Sequence, residues 1–247
     1  MIRTPEEIAK MRKAGKVVAE IIEKTQAAVR PGISTLDLDR VAREVIATRN
    51  ARSNFLNYHG FPATICTSPN NMIVHGIPSA EVILVEGDII SVDCGAIIEG
   101  YHGDAAYTVG VGEISKAAKR LIEVTKASLE AAIEVMREGN RLHDIGREVQ
   151  NVAEAAGYSV VRKYVGHAIG TAMHEEPQVP NYWPGNPGPK LKVGNIYAIE
   201  PMVNVGGPDT IELEDGWSVI TADGSLSAHF EHTIAVTEEG PEVLTRV

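Results

Sequence analysis

Four carboxylates recur at matched places in the two halves of this chain: Asp93 and Asp104 in the first, Glu200 and Glu231 in the second. An internal repeat sets the match. Gly87-Asp-Ile-Ile-Ser-Val-Asp93 returns as Gly194-Asn-Ile-Tyr-Ala-Ile-Glu200, and His102-x-Asp104 returns as His229-x-Glu231. The first offset also carries Arg30-x-Gly32 onto Arg137-x-Gly139, Asp37 onto Asp144 and Val45 onto Val152. Side chains alternate along a strand, so Ile89, Ser91 and Asp93 share one face, and Ile90, Val92 and Cys94 the other. A carboxylate buried in so apolar a strand costs several kcal/mol unless a cation accompanies it. Residues 85–112 and 193–237 contain no Lys or Arg. The segments that carry the acids offer no counter-charge of their own, and divalent metal ions are the economical source.

Histidine is the other ligand type to seek. Two of the eight, His167 and His174, fall in VGHAIGTAMHEEP. Their spacing and the glycines between them exclude the HExxH zinc helix and suggest a loop or strand that presents ligands. One imidazole with four carboxylates is too oxygen-rich for a structural zinc site. It suits a pair of Mn, Fe, Co or Zn ions that share carboxylate bridges. No GxGxxG or GxxxxGK[ST] follows a strand, and there is no GxSxG elbow. A two-metal phosphatase or nuclease would need Lys or Arg to clamp phosphate oxygens, and the metal strands have none. A site ringed by acids suits a neutral amide that carries a free ammonium group.

The elements that must position these groups come twice, as helix, helix, strands. Residues 4–29 read as a helix: Thr4 caps it, Pro5 opens it, Glu7 completes a capping box, and Ile8, Met11, Gly15, Val18 and Ile22 form the buried stripe. A second helix spans 35–49, with Leu38, Val41 and Val45 inward; Ser115 caps a third that runs to Arg137, and a fourth spans 142–156. Residues 62–112 and 158–247 are strands and loops. The class is α+β: two pseudo-symmetric halves, 1–112 and 113–247, in a single catalytic domain over 1–247.

Composition narrows the setting. The 247 residues hold 33 acids against 23 bases, a formal charge of −10, which opposes any affinity built on nucleic-acid phosphates. Hydrophobic residues at 44% exclude wholesale disorder. No apolar run spans a bilayer, and the start lacks the apolar core of a signal peptide. Cys66 and Cys94 form no metal or redox motif and read as buried thiols of a reducing cytoplasm. The first helix is basic for so acidic a chain, through Arg3, Lys10, Arg12, Lys13 and Lys16.

The chain resembles the type I methionine aminopeptidases, whose duplicated pita-bread fold, built around a curved antiparallel sheet, is shared by prolidases and creatinases. The resemblance covers essentially the whole chain. It rests on YHGFPATIC (58–66), NNMIVHGIP (70–78), SVDCGAIIEGYHGDAA (91–106), GHAIGTAMHEEPQVPNY (166–182), IEPM (199–202) and HFEHTIAVTEEG (229–240). It implies that Asp93, Asp104, His167, Glu200 and Glu231 ligate two divalent ions (Co, Mn, Fe, Zn or Ni), with Asp104 and Glu231 bridging. It further implies that His75 and His174 contact substrate, that Glu200 shuttles a proton, and that Tyr58, His59, Phe61, Cys66 and Trp217 surround the methionine side chain. The departures are GHAIG for the commoner GHGIG, and Met173 where many relatives have an aromatic residue. The implied function is removal of the initiator methionine before a small second residue, by attack of metal-activated water. The implied enzyme is a cytoplasmic monomer that meets nascent chains, and its basic first helix is placed to touch the ribosome. Two other readings use the same residues: an Xaa-Pro aminopeptidase on this scaffold, or a non-catalytic binding protein that kept the fold.

Overall fold

Both halves begin with a capped helix pair. The computed structural model describes residues 2–246. In the first half α1 (Pro5–Ala28) and α2 (Thr35–Thr48) precede β1 (Arg52–Ser53), β2 (Ile65–Pro69), β3 (Met72–Val74), β4 (Ile89–Ile98) and β5 (Tyr101–Gly110). In the second, α3 (Lys116–Glu134) and α4 (Leu142–Ala155) precede β6 (Ser159–Val160), β7 (Gly166–Ala168), β8 (Glu175–Val179), β9 (Ile196–Ile199) and β10 (Met202–Asn204). Then come β11 (Thr210–Glu212), β12 (Val219–Thr221), β13 (Ser227–His229), β14 (His232–Thr237) and β15 (Gly240–Val243).

The caps account for the helix starts. Thr4 and Glu7 form the expected reciprocal box, and Ser34 with Asp37 forms another. Ser115 accepts the N–H of Ala118. Asp144 closes the turn at Arg141, as Asp37 does at Ser34. Helix α3 stops at Glu134, short of the expected Arg137, because the Asn140 amide donates to the Val135 carbonyl (2.8 Å) where another helical turn would have used it. At the end of the α1 stripe Ile21 is buried and Ile22 only half-buried; on α2 Ala42 is buried and Val41 half-buried. No helix among the described residues is long and apolar enough to cross a membrane.

The repeat extends to backbone detail. Gly32 and Gly139 both adopt left-handed φ, +87° and +91°, which glycine tolerates without steric cost. The segments after them pair alike, Ser34 with Ile83 and Arg141 with Lys190. The halves then diverge. In the first, β4 and β5 form an unbroken ten-pair antiparallel hairpin. In the second, the equivalent strands are interrupted, one between β9 and β10 at Glu200-Pro201, the other between β13 and β14 at Phe230-Glu231. Pro201 has no N–H to give a ladder, which suits it to the first break. Both breaks fall at repeat-related acids.

The halves join along one antiparallel seam. Ala106 and Glu231 exchange backbone hydrogen bonds of 3.3 and 2.9 Å. On either side a threonine hydroxyl does the work of a strand neighbour. Thr233 Oγ1 accepts from Asp104 N (2.9 Å) and donates to Asp104 O (2.8 Å). Thr108 Oγ1 accepts from His229 N and donates to His229 O, both at 2.8 Å. Each half packs its own apolar core between helices and sheet, and Phe230 touches both cores.

Thr233 therefore carries a testable load. Thr233→Val keeps the shape and orphans two buried backbone groups, so the expected loss is about 2–4 kcal/mol of unfolding free energy. Urea denaturation of the variant measures it, and an unchanged midpoint would refute this account of the seam.

Candidate metal centre

All five expected ligands line one cavity. Asp93 lies midway along β4, Asp104 on β5 opposite Gly95, His167 on β7 opposite Ala198, and Glu200 and Glu231 at the two strand breaks. Ligand atoms of Asp104, His167 and Glu231 lie within 4.8 Å of one another. His167 Nε2 is 3.6 Å from Glu200 Oε1. Its Nδ1 is 3.0 Å from the Ala168 carbonyl, so Nδ1 carries the proton and Nε2 presents its lone pair to the acids. The glycine after Asp93-Cys94 is required here, since a Cβ on Gly95 would overlap the Asn54 side chain. The Asn54 amide donates to Gly103 O (3.0 Å) and reaches Asp104 Oδ2 at 3.5 Å, while its oxygen is 3.0 Å from His102 Nδ1.

Electrostatics give the cluster its chemical character. Burial pushes the Asp93 carboxyl up to about 7. Asp104, Glu200 and Glu231 are driven well above the usual carboxylate range, first by burial and then by one another's and Asp93's negative charge. Burial pulls His167 down to about 3, so its imidazole is neutral. Asp93 Oδ1, Asp104 Oδ1 and Glu231 Oε1 are buried without any hydrogen-bond partner. Four hard oxygen donors, one neutral imidazole and three orphaned carboxylate oxygens fit divalent ions that tolerate mixed oxygen and nitrogen ligands.

A cavity of about 130 Å³ opens onto these acids. Its walls are Phe55, Tyr58, Phe61, Cys66, Met173 and Trp217, and His75 and His174 stand beside them. The Phe61 and Trp217 rings meet edge to face at 5.1 Å. Trp217 arrives on the second half's extra segment, the β11–β12 hairpin, whose β12 pairs with β3 and so sits next to His75. Asp215 fixes the turn by accepting the N–H groups of Trp217 and Ser218, both at 2.8 Å. Burial keeps the Cys66 thiol protonated, and the Asp93 charge adds to that.

The two histidines differ in how they are held. His75 has φ +61°, a strained conformation for a non-glycine residue, and its ring lies edge-on to Tyr164 at 5.7 Å. Burial, helped by the charge of His174, lowers it to about 4. His174 Nδ1 is 2.7 Å from Tyr58 Oη, and its ring is 4.2 Å from that of His167. With Tyr58 as donor, the His174 proton resides on Nε2. His59 does not line the cavity: it is exposed, and its ring packs on Tyr58 at 4.4 Å.

Several contributors escape a sequence-based reading. Phe55 lines the pocket without belonging to any of the quoted motifs. Arg3, counted there as a surface cation, is only 6% exposed and places Nη2 2.5 Å from both oxygens of Glu175. Glu175 also accepts the N–H groups of Thr171 (2.9 Å) and Ala172 (3.2 Å), which fixes the loop that carries Met173 and His174. Burial alone would raise the Glu175 carboxyl, but these N–H groups and Arg3 outweigh it and hold it below its ordinary value. Only the residue-by-residue contacts reveal that clamp.

A family model described as metallopeptidase family M24 matches residues 9–238. The chain belongs to metallopeptidase family M24. It is 52% identical over 245 residues to a protein named methionine aminopeptidase from Clostridium acetobutylicum, which covers 99% of this chain and 98% of that one. It is 49% identical to methionine aminopeptidase 1 of Bacillus subtilis, again over 99% of this chain and 98% of that one. Among solved structures, methionine aminopeptidase from Thermotoga maritima superposes with a TM-score of 0.97 at 44% identity, and each chain is covered completely. A prolidase from Pyrococcus furiosus shares the fold at a TM-score of 0.81 and 20% identity, and only 65% of that longer chain is matched. The M24 architecture is the pita-bread fold.

Within this M24 chain the unpaired acids have a measurable consequence. Without metal, carboxyls raised above their unfolded values stabilise the fold at low pH, and that contribution is lost as pH rises through about 7, the value for Asp93. The metal-free protein is therefore expected to melt at a lower temperature at pH 8 than at pH 5. Mn²⁺ should reverse this, by about 2.7 kcal/mol at a hundredfold excess over its dissociation constant. Asp104→Asn should leave metal-free melting equal or higher and abolish the gain with Mn²⁺. Calorimetry decides, and a full Mn²⁺ response in that variant would remove Asp104 from the site.

Proposed function

We infer that this chain is a metal-dependent methionine aminopeptidase, which hydrolyses the peptide bond after an N-terminal methionine. One observation carries the reading: a small cavity of about 130 Å³, walled mainly by apolar and aromatic side chains, ends directly on four buried acids. A pocket of that volume has room for one side chain, and the acids attract the ammonium group that marks the end of a polypeptide. The full-length likeness to proteins of that name supports it.

We propose that Asp93, Asp104, His167, Glu200 and Glu231 hold two divalent ions, with Asp104 and Glu231 shared across the seam. When bound, such ions polarise the scissile carbonyl and supply activated water. The residues do the rest. His174, with its proton on Nε2, donates to the scissile carbonyl oxygen. His75, neutral at pH 7, accepts the N–H of the peptide group beyond the bond and orients it. Glu200, whose carboxyl is raised by burial and Asp93, carries a proton to the leaving nitrogen. Phe61, Cys66 and Trp217 form walls that suit an unbranched, polarizable thioether. His59 acts through Tyr58, by supporting its ring. Each residue of this arrangement comes from one chain and both halves supply ligands, so a single-domain monomer suffices. Two buried free thiols agree with a cytoplasmic place of action on nascent chains.

A ribosomal contact through α1 has a narrow basis. Arg3 pairs with Glu175, Arg12 with Glu242 and Lys13 with Glu99, and Lys10 lies over the Tyr101 ring. Lys16 is the one of the five cations without such a partner among the described residues. Any attachment should be weak and sensitive to salt, and Lys16→Glu should lower co-sedimentation with ribosomes at low salt. Unchanged co-sedimentation would end the idea.

Specificity gives the sharper test. One methylene in an apolar pocket is worth about 1–3 kcal/mol, so selection must come from shape. Met-Ala and norleucine-Ala peptides should be cleaved, β-branched Ile-Ala rejected, and Met-Leu slower than Met-Ala, because the second residue passes beside His75. Trp217→Ala should relax the choice. Kinetics with these peptides, and with Ala-Pro as the Xaa-Pro control, check it; equal turnover of Ile-Ala and Met-Ala would overturn the reading.

A further inference from the structure

Beyond Tyr58 lies a second hollow of about 530 Å³, open to solvent and bounded by α2, β1 and the following loop. Tyr58 is common to both: one side of its ring lines the methionine-sized cavity, and the residue also lines this groove. The groove's charge is anomalous for this protein. In a chain of 33 acids and 23 bases, its lining holds Arg43, Arg52 and His102 and no acidic residue. Arg43 gives its Nε to the buried Asp39 at 2.6 Å, but its side chain remains half-exposed, with the terminal guanidinium nitrogens free to bind. Arg52 is exposed on β1 and forms no ion pair among the described residues. Ser53, Asn54 and Asn57 add polar atoms between the two arginines and Tyr58. The groove is also tied to the site. His102 N donates to Gly170 O (2.9 Å) at the base of the loop that carries His174, and Tyr58 Oη meets His174 Nδ1.

We propose that this groove is a subsite for acidic side chains of the substrate polypeptide, beyond its second residue. The proposal rests on the aminopeptidase reading and extends it. Only the methionine is enclosed, so the remainder of the substrate must leave across the surface past Tyr58 and His174. An extended chain advances about 3.3 Å per residue, so the residues that reach a groove adjoining the cavity at Tyr58 are those after the second. The protein as a whole repels acidic peptides, and two arginines in an acid-free hollow offset that repulsion locally. The exposed Leu56 beside them offers an apolar contact for the stem of a glutamate.

The test uses the metal-loaded enzyme and C-terminally amidated peptides, so that no terminal carboxylate interferes: Met-Ala-Ser-Gly, Met-Ala-Glu-Glu and Met-Ala-Lys-Lys. The acidic peptide should exceed the lysine peptide in kcat/KM by about fivefold at low salt, the scale of one or two half-exposed ion pairs. The difference should lie in KM and fade at high salt. Arg52→Glu should invert the ratio, and Arg52→Lys should largely keep it. A ratio near one in the wild type, or one that Arg52→Glu leaves unchanged, overturns the subsite while cleavage of Met-Ala-Ser-Gly upholds the aminopeptidase reading. Failure to cleave all three peptides overturns both.

Discussion

Four carboxylates withdrawn from water into one cluster, without a basic side chain on their strands, form the constraint around which this molecule is organised. Taken alone the arrangement is unfavourable, as the upward displacement of all four carboxyls records. It is tolerable because the surrounding packing enforces it and because divalent cations reverse its sign. The seam provides the enforcement. Asp104 and Glu231 lie on strands whose backbones are locked together through Ala106 and Thr233, so neither acid can withdraw without breaking buried hydrogen bonds.

Duplication explains the symmetry of the ligands, and departure from duplication explains the rest of the site. The first half keeps its hairpin continuous and presents aspartates from regular strand positions. The second breaks both equivalent strands at glutamates, whose longer side chains reach the centre from an irregular backbone. The extra segment between those glutamates becomes the β11–β12 hairpin and adds itself to β3 of the other half. The pocket thus draws Phe61 and Cys66 from one repeat and Met173 and Trp217 from the other. A symmetric cluster of acids thereby acquires an asymmetric wall.

Charge is also partitioned in space. Acids are concentrated at the catalytic end of the cavity, neutral imidazoles border them, and arginines gather in the adjoining groove. His75 and His167 are kept uncharged by burial, so they add no positive charge beside the acids. The basic character of α1 is spent mostly inside the molecule. Arg3 braces the His174 loop, and Arg12 ties α1 to β15 through Glu242.

The sequence by itself determined the elements and the acids. Helix starts were legible because capping is local: Thr4 and Ser115 act within three residues of themselves. The repeat was legible because both halves kept glycines where left-handed turns require them, and acids at the same strand positions. The absence of Lys and Arg from those strands sufficed to argue for metal. What only the tertiary structure decided were relations between distant residues. Spacing alone could not choose between His167 and His174; the family resemblance named the first. In the fold the two differ: His167 Nε2 lies 3.6 Å from Glu200, whereas His174 Nδ1 meets Tyr58. The burial of Arg3, the place of Phe55 in the pocket wall and the exclusion of His59 from it depend on which side chains meet across the chain. So do the breaks at Glu200 and Glu231, segments that the repeat matches to unbroken strands of the first half.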